Sequence, residues 1–517
     1  MKALSKFLSL AIIALSCFAF TYGGGKNPPS YAASLPALTP VTTFGSVTKA
    51  TGAVTQSFTA ETDGGTGTGP SDFQVSGPMP YPTPAVNLES YLPKVDPNAP
   101  VIEIKGSSGE VGPYLQAASD ELDKRGRGKG IIRFSGKGVV SKRPILNHHL
   151  YGTSRSELVC NQQDAWLGCI ILKDGVLVDG VTVHEPTYDQ TEGGWQPAIT
   201  IFQTYADFTS NAHEKLARNI SIINSTFIGG KRTRGDGGTR STLAFTNCDT
   251  CAAANNNFIN TSSIGVQWGG ASTSGHFARH CLSYYNRFEG VVAAHEAIVN
   301  GEDILVIGSS STRPSRVGFS GGVSLIDMEL NAETDHGRRI GIYNVSCDYT
   351  EAGLVGGAGN CINIQNSPNS PFVRDVTVAN FTAHGGDPAD SRSKPLSNGI
   401  FVNGEIPGLL VTNGTVTKAG QTCVQAHGGG KEQIYRNIDC VSCGGGGIFA
   451  IELNDVNGAL FQNNRIFDAK VNNVSTDPRI RQTCAVNRFE RNMNGPKPVP
   501  VVSVCPRPAR TSPTIRG

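Results

Sequence analysis

A short motif that recurs along the second half of the chain constrains the fold most strongly. Each copy is a small or turn-forming residue followed at once by a short, largely apolar segment. The copies begin at Gly265, Gly290, Gly322, Asn360, Gly399, Thr422 and Gly447, so successive starts lie 25, 32, 38, 39, 23 and 25 residues apart. A coil of two or three short strands cannot bury its apolar face alone, but stacked coils can, with strands about 4.8 Å apart. The repeat therefore predicts an all-β, right-handed parallel β-helix.

The composition agrees with many short strands separated by tight turns. Only 7% of the residues are aromatic and 17% are charged, whereas 62 are glycine, which does not suit a helical or doubly wound enzyme. A β-propeller or β-sandwich would favour hairpins between longer alternating strands, and the strands here are very short. The formal net charge of +2 gives no electrostatic footprint for nucleic acid.

The two ends of the chain differ from the repeats. Residues 1–21 carry Lys2 and Lys6 before an apolar stretch and predict a secretory signal, with lipid attachment at Cys17 as the alternative. Residues 22–100 predict a loosely ordered arm, and residues 101–475 the β-helix with one capping helix over 113–124. Residues 476–517 predict a C-terminal cap and a proline-rich tail without regular structure. We expect a secreted or extracytoplasmic monomer without an integral membrane segment.

The chain contains 13 cysteines, and setting Cys17 aside leaves an even number, which favours disulfides in an exported protein. The Cys-x-x-Cys pairs that begin at Cys248 and Cys440 predict short-range disulfides or buried thiols rather than a zinc site. Two close pairs are natural disulfide candidates, namely Cys160 with Cys169 and Cys484 with Cys505.

Side chains alternate between the two faces of a strand, so the repeat divides into a buried and an exposed set. Counted from the leading residue, the even positions are apolar and predict the core, and Phe401 is among them. The fifth position is polar almost throughout. We predict that it forms one outward column, made of His295, Asp327, Gln365, Gly404, His427 and Glu452.

Asp327 and Glu329 are the main catalytic candidates. They lie two residues apart on one strand and so share a face, with Cα atoms about 6.5 to 7 Å apart. At such a separation one carboxylic acid can protonate a glycosidic oxygen while the other, ionised, attacks the sugar or activates water. His295 on the neighbouring coil, with Asp335 and His336 in the following turn, completes the predicted catalytic set. The alternative for His295, as for His427, is that it only fixes a turn by hydrogen bonding.

Other residues are candidates for substrate binding. Trp268 is either a sugar-stacking platform or a buried structural tryptophan. Arg338 and Arg339 either bind a carboxylate or sulfate of the glycan or are ordinary solvated charges. Within the predicted outward column, the candidates for binding are Gln365, His427 and Glu452.

Residues 112–145 (GPYLQAASDELDKRGRGKGIIRFSGKGVVSKRPI) and the repeats resemble the pectin lyase-like superfamily of right-handed parallel β-helix proteins, over residues 101–471. Residues 326–331 (IDMELN) resemble a Gly-Ile-Asp-Ile-Glu-Pro-Asn strand of that superfamily, with Leu330 in place of the usual proline. The resemblance implies a carbohydrate-active protein, but glycoside hydrolases, polysaccharide lyases, epimerases and phage depolymerases all share this fold. The motif sets of polygalacturonases and alginate epimerases are missing.

Three functions follow for a protein whose partner is an extracellular polysaccharide. The first is a glycoside hydrolase that uses Asp327 and Glu329 and needs no cofactor. The second is a polysaccharide lyase of the pectate-lyase type, in which Arg339 or His295 removes a proton and carboxylates bind Ca²⁺. The third is a non-catalytic glycan-binding or adhesin-like solenoid. The carboxylates considered for Ca²⁺ are Asp327, Glu329, Asp348 and Glu351.

Overall fold

The structure is a computed structural model, and the part of the chain that it describes begins at residue 80. The described residues are 80–126, 128–153, 155–161, 167–185, 200–208, 216–229, 241–261, 264–270, 276–291, 294–314, 323–350, 359–366, 369–385, 396–443, 450–467, 470–471, 474–475, 480–482, 487–494, 497–498 and 501–503. Cys17, the predicted signal and the Cys484–Cys505 pair lie outside these residues.

Short parallel strands stack into two long sheets. We call the 13-stranded sheet the front sheet. Its strands are Ile145–Leu146, Ile170–Leu172, Phe202–Thr204, Ser241–Phe245, Ile264–Trp268, Glu296–Ile298, Ser324–Glu329, Asn360–Gln365, Asn398–Asn403, Thr422–His427, Ile451–Asn454, Ile480–Gln482 and Val501–Ser503.

The second sheet has 26 strands, and we call it the back sheet. Its strands are Val101–Glu110, Ile131–Val140, His149–Gly152, Glu157–Cys160, Leu177–Asp179, Thr182–His184, Ala217–Arg218, Ser221–Ile223, Thr226–Ile228, Cys248–Asp249, Ala252–Ala254, Asn257–Ile259, Ala278–Tyr284, Arg287–Glu289, Gly301–Ile307, Ser310–Thr312, Gly337–Tyr343, Ser346–Tyr349, Val373–Gly385, Leu410–Thr417, Ile434–Val441, Leu460–Gln462, Arg465–Phe467, Arg488–Glu490, Met493–Asn494 and Lys497–Pro498.

Most described strands pair with the equivalent strand of the next coil rather than with their neighbour in sequence. The strand Ser324–Glu329, for example, pairs in parallel with Glu296–Ile298 on one side and Asn360–Gln365 on the other. Among the described strands, the antiparallel pairs are Lys470–Val471 with Val474–Ser475 and Met493–Asn494 with Lys497–Pro498. The chain is thus a right-handed parallel β-helix, and the predicted fold is confirmed.

Asparagine makes the corners of the coils. Asn224, Asn255 and Asn344 have φ values of 52°, 55° and 56°, in the left-handed region that asparagine tolerates better than most residues. Next to these corners lies an internal amide ladder, because Asn256 accepts a hydrogen bond from the backbone N–H of Ser225 while its own N–H donates to Asn286. In this ladder, backbone N–H groups beside the corners are satisfied by side chains of the neighbouring coil.

Apolar side chains stack coil upon coil inside the helix. Phe227, Phe258 and Phe288 are fully buried and stack in sequence, with ring centroids 5.0 and 4.7 Å apart. Their strands pair in register, so the same position of each coil faces the interior. This repetition lets coils of very short strands share one continuous core.

A single helix of 14 residues, Gly112–Arg125, covers the first coil and confirms the predicted cap. Leu115, Ala118 and Leu122 are its buried face. After the helix, Ile131–Val140 is one continuous strand, in which Gly136 has φ +80° and stays paired with Gly106. Shorter helical turns lie at Leu88–Tyr91 and Tyr205–Phe208. No described helix is long or apolar enough to cross a membrane.

The last part of the predicted arm is packed against the back sheet. We call residues 80–95 the strap. Near its start, Tyr81 and Val86 contact the apolar cluster that contains Ile307 and Tyr343. Farther along, Leu88, Leu92 and Val95 contact a second cluster, made of Leu177, Ile223 and Ala254. The strap therefore crosses several coils, and the side chains that make these contacts are half-buried against the back sheet.

The C-terminal end of the chain also departs from expectation. The strand Ile480–Gln482 extends the front sheet into the predicted cap, and Val501–Ser503 extends it into the proline-rich stretch beyond. Pro498 lies at the end of the back sheet in Lys497–Pro498, where a proline is tolerated because its missing N–H breaks no central pairing. The strands Lys497–Pro498 and Val501–Ser503 thus lie within the proline-rich stretch for which we expected no regular structure.

Three disulfides join neighbouring parts of the described coils. Cys160–Cys169 confirms the predicted close pair. Cys347–Cys361 and Cys423–Cys440 each tie a back-sheet strand to a front-sheet strand. The described cysteines that remain as buried thiols are Cys248, Cys251, Cys281 and Cys443.

Candidate functional site

The outward face of the front sheet carries two adjacent columns of side chains. In register along the first column lie Gln267, Ala297, Asp327, Asn363, Phe401, Gln425 and Glu452. In register along the second column lie Glu329, Gln365, Asn403, His427 and Asn454. Stacked strands are about 4.8 Å apart, so each column presents one side chain at that interval.

The single predicted column is therefore wrong in its register. Asp327 and Glu452 belong to the first column, while Gln365 and His427 stand in the second, in line with Glu329. The error arises because the leading residue of each repeat does not occupy the same place in every coil. Gly404 likewise falls beyond the strand, which ends at Asn403.

The predicted carboxylate pair lies on the strand Ser324–Glu329, with Asp327 in the first column and Glu329 at the start of the second. Asp327 is half-buried and Glu329 is exposed on the same strand. Burial first, and then the negative charge of Glu329, raise the pKa of Asp327 to about 7. Surrounding protein also raises the pKa of Glu329, although its side chain reaches solvent. The pair therefore holds a proton more readily than two separate carboxylates would.

Asn363 is a member of this site that the sequence reasoning missed. Its side-chain amide Nδ2 donates to Asp327 Oδ1 at 2.6 Å. Because this hydrogen bond favours the ionised carboxylate, it opposes the two effects that raise the pKa of Asp327. The only signal in the sequence is that Asn363 alternates with buried apolar residues and so stands at an outward position of its strand. Its place beside Asp327 follows only when the register of the two coils is known.

Farther along, the columns bring together an aromatic ring, an imidazole and amides. Phe401 was predicted to be in the core, but it is half-buried on the outward face, between Asn363 and Gln425. Its ring contacts that of His427 edge to face, with centroids 5.2 Å apart. Asn454 Nδ2 lies 2.9 Å from His427 Nε2 and 3.4 Å from Glu452 Oε1.

Two predicted site residues are buried away from this face. His295 is fully buried and stacks on Phe288 at 5.4 Å, and burial lowers its pKa to about 3. It immediately precedes the strand Glu296–Ile298, whose residues are all buried, and its ring packs on Phe288 in the interior, so the predicted outward orientation is wrong. Trp268 is also fully buried, stacked on Phe245 at 4.8 Å, which confirms the alternative of a structural tryptophan.

The remaining candidates lie at the corner and on the back sheet. Asp335 is buried and accepts hydrogen bonds from the backbone N–H groups of Asn331 and Ala332, so it fixes the turn. His336 Nδ1 lies 2.9 Å from Glu302, which also accepts a hydrogen bond from Arg338 at 2.6 Å.

Arg339 is held in the same way by a neighbouring carboxylate. Its Nη2 donates to Asp303 at 2.6 Å, and this hydrogen bonding lowers the pKa of Asp303. The strand Gly337–Tyr343, which carries Arg338 and Arg339, belongs to the back sheet. The structure therefore does not bring either arginine together with Asp327 and Glu329.

The set of carboxylates considered for Ca²⁺ is not assembled. Asp348 lies on the back sheet in register with Thr312 and His384, and Glu351 is outside the described residues. Within the described ranges, no group of three or more His, Cys, Asp or Glu side chains is placed to hold a metal ion.

No protein-family model and no curated protein matches the sequence. Among solved structures, the chain is similar to a GH87 α-1,3-glucanase from Streptomyces thermodiastaticus, at 12% identity and a TM-score of 0.46, over 75% of this chain and 66% of that one. It is also similar to an alginate lyase from Paenibacillus sp., at 13% identity and a TM-score of 0.36, over 65% of this chain and 93% of that one. A surface adhesin of Streptococcus pneumoniae gives 11% identity and a TM-score of 0.37, over 76% and 87% of the two chains. Such distant similarities do not indicate which bond, if any, this chain cleaves.

Proposed function

We propose that this protein is a glycoside hydrolase that cleaves a polysaccharide laid across the outward face of the front sheet. The observation that carries the proposal is the pair formed by Asp327 and Glu329. One carboxyl group is half-buried with its pKa raised to about 7, and the other is exposed on the same strand. Because their surroundings are unequal, one carboxyl group can stay protonated while the other is ionised, as glycosidic hydrolysis requires.

The chemistry assigns a different role to each carboxyl group. Protonated Asp327 gives its proton to the glycosidic oxygen as the bond from that oxygen to the anomeric carbon breaks. Ionised Glu329 either attacks the anomeric carbon or takes a proton from the water that does so. If Glu329 attacks, water then cleaves the glycosyl–Glu329 bond while Asp327 takes back a proton from that water; if Glu329 acts as base, it releases its proton to solvent and Asp327 regains one. In both routes one water is consumed and the two products gain one hydroxyl group each.

The placement of the basic residues favours hydrolysis over elimination. A lyase needs a base beside the uronate carbon that loses its proton. The two bases considered for that role are His295, which is buried, and Arg339, which is paired with Asp303 on the back sheet. The second candidate function is a glycan-binding β-helix without catalysis, since polar columns can hold a glycan without cleaving it. The experiment below distinguishes the two.

The decisive experiment measures products from a panel of neutral and uronic-acid polysaccharides. We expect new reducing ends without the ultraviolet absorbance of an unsaturated uronate. Asp327→Asn and Glu329→Gln should each lower turnover by about 100-fold to 10,000-fold, because each amide keeps the shape of the side chain but loses its titratable proton. Glu405→Gln, at an exposed position beyond the strand, is the matched control and should keep normal turnover.

Each alternative result has a defined meaning. Unsaturated products would establish elimination, and binding without products would establish a non-catalytic solenoid. Near-normal turnover in both amide variants would place the chemistry outside this pair. Circular dichroism and thermal unfolding of the variants would show whether a loss of turnover merely reflects a loss of fold.

A further inference from the structure

We infer that the two columns continue past the carboxylate pair as a binding subsite, centred on Phe401 and His427, for an uncharged stretch of glycan. The inference rests on the proposed function, since the glycan bound here is the one presented to Asp327 and Glu329. It adds the position of the subsite, the residues that form it and the charge class of the sugar.

Phe401 provides the apolar surface of this subsite. The core positions of its strand are Ile400 and Val402, both fully buried, whereas Phe401 is half-buried on the opposite face. The other members of the first column are polar or alanine, so a half-buried aromatic ring on this outward face has no role in the core. A flat ring on a polar face is what the apolar face of a sugar ring packs against.

His427 is held beside that ring in one orientation. Its ring meets Phe401 edge to face, and Asn454 Nδ2 lies 2.9 Å from its Nε2. An amide nitrogen can only donate, so Nε2 accepts and the proton of a neutral imidazole lies on Nδ1. Burial lowers the pKa of His427, and the imidazole is therefore uncharged at neutral pH and can exchange hydrogen bonds with hydroxyl groups.

The charges on this face favour a neutral sugar. From the coil of Gln267 to the coil of Glu452, the described members of the two columns include three carboxylates and no lysine or arginine. A uronate would bring further negative charge to this row, and like charges in a partly desolvated site repel one another. The amides of Asn363, Gln365 and Gln425 suit hydroxyl groups, because an amide both donates and accepts hydrogen bonds.

The spacing of the coils separates the subsite from the carboxylates. Phe401 lies two coils from Asp327 along the first column, about 10 Å away, and His427 lies three coils from Glu329, about 14 Å away. A glycan must therefore extend over more than one sugar ring to touch both places. Loss of the subsite should weaken the binding of long chains and leave short ones unaffected.

The test measures binding apart from cleavage. Asp327→Asn is used as the parent, so that bound chains are not consumed, and it is applied to an array of neutral polysaccharides together with polygalacturonate and alginate. We expect retention of a neutral polymer and not of the two uronates. Adding Phe401→Ala should weaken that retention about tenfold, Phe401→Tyr should restore it, and Phe372→Ala, at an aromatic residue 45% exposed elsewhere, should leave it unchanged.

The outcomes separate this inference from the proposed function. Retention that depends on Phe401 in a protein that cleaves nothing would uphold the subsite and overturn the hydrolase. Cleavage by the wild-type chain together with equal retention by the Phe401→Ala variant would do the reverse. Preferential retention of polygalacturonate or alginate would overturn the neutral charge class, and no retention of any polymer would overturn the subsite altogether.

Discussion

Asp327 and Asn363 show how one hydrogen bond can tune a carboxyl group. Burial and the charge of Glu329 raise the pKa of Asp327, while the amide of Asn363 opposes that rise. The resulting value of about 7 keeps the group protonated below neutral pH, where a general acid must hold its proton. The amide thus sets the upper end of the pH range in which the proposed reaction runs.

The first prediction at this scale concerns the pH profile. We expect kcat/KM to fall as pH rises through about 7, because Asp327 then loses its proton. Asn363→Ala removes a hydrogen bond to the ionised form, so the pKa should rise and the alkaline limb should move to higher pH. Gln425→Ala, two coils along the same column, should leave the limb in place. A limb that stays fixed or moves downward in Asn363→Ala would contradict the assignment.

Glu296 is another carboxyl group with a raised pKa, and it lies inside the β-helix. It occupies the core position in register with Val266 and Ile326 and is fully buried, with hydrogen bonds to Ser309 and Ser283. Burial raises its pKa to about 7 in the folded state, whereas an exposed glutamate in the unfolded chain titrates near 4.3. The folded state therefore binds the extra proton between these values.

The second prediction follows from that difference. The stabilising contribution of protonated Glu296 is complete below about pH 4 and is lost as pH rises through about 7. Glu296→Gln should therefore flatten the decline of the unfolding free energy with pH, and at pH 8 it should stabilise the protein, by about 4 kcal/mol at most. Urea unfolding at several pH values measures this effect. Parallel slopes for wild type and variant would show that Glu296 does not titrate differently on folding.

The register of the front-sheet strands could be predicted only in part. Parity correctly placed Asp327, Gln365, His427 and Glu452 on the outward face. It failed for Phe401 because the leading glycine of that repeat is not at the same point of its coil as Gly322. Inserted loops of different length precede each strand, so the sequence fixes alternation within a strand but not the alignment between strands.

The strap is an element whose packing the sequence did not reveal. Its composition predicts a loose arm, yet Asn380 Oδ1 accepts from the backbone N–H of Tyr81 at 2.8 Å and its Nδ2 donates to the Tyr81 carbonyl at 2.7 Å. Ser221 Oγ donates to the carbonyl of Tyr91 at 2.9 Å. The few apolar residues of the strap suffice because the back sheet supplies the remaining apolar surface.

The third prediction tests the attachment of the strap. Asn380 has φ +56°, so Asn380→Gly removes its amide while keeping that backbone conformation accessible. Hydrogen exchange of residues 80–86 should become faster in this variant, while exchange in the coils stays unchanged. Asn413→Gly, at the equivalent corner of the next coil with φ +54°, is the control. Equal exchange in both variants would show that Asn380 does not hold the strap.

At the scale of the whole molecule, the fold was the most predictable property. Recurring short strands with asparagine or glycine corners leave few alternatives to a β-helix, and one amphipathic segment was enough to identify the cap. The repeat did not predict which polar side chains are buried, such as those of His295 and Glu296. Neighbouring residues in a strand share a pattern, but only the three-dimensional stack decides which side chains meet at a corner.

Because equivalent strands stack at a constant interval, the front sheet also fixes the distances between side chains on its outward face. Because the pairing distance fixes the interval between Asp327 and Phe401, the two positions cannot drift apart or together through small changes in loops. Insertion or deletion of one whole coil between them would change their separation in a step of about 4.8 Å. In a protein built in this way, the number of coils between the binding position and the catalytic position sets the length of glycan that reaches both. The residues at each position can stay the same.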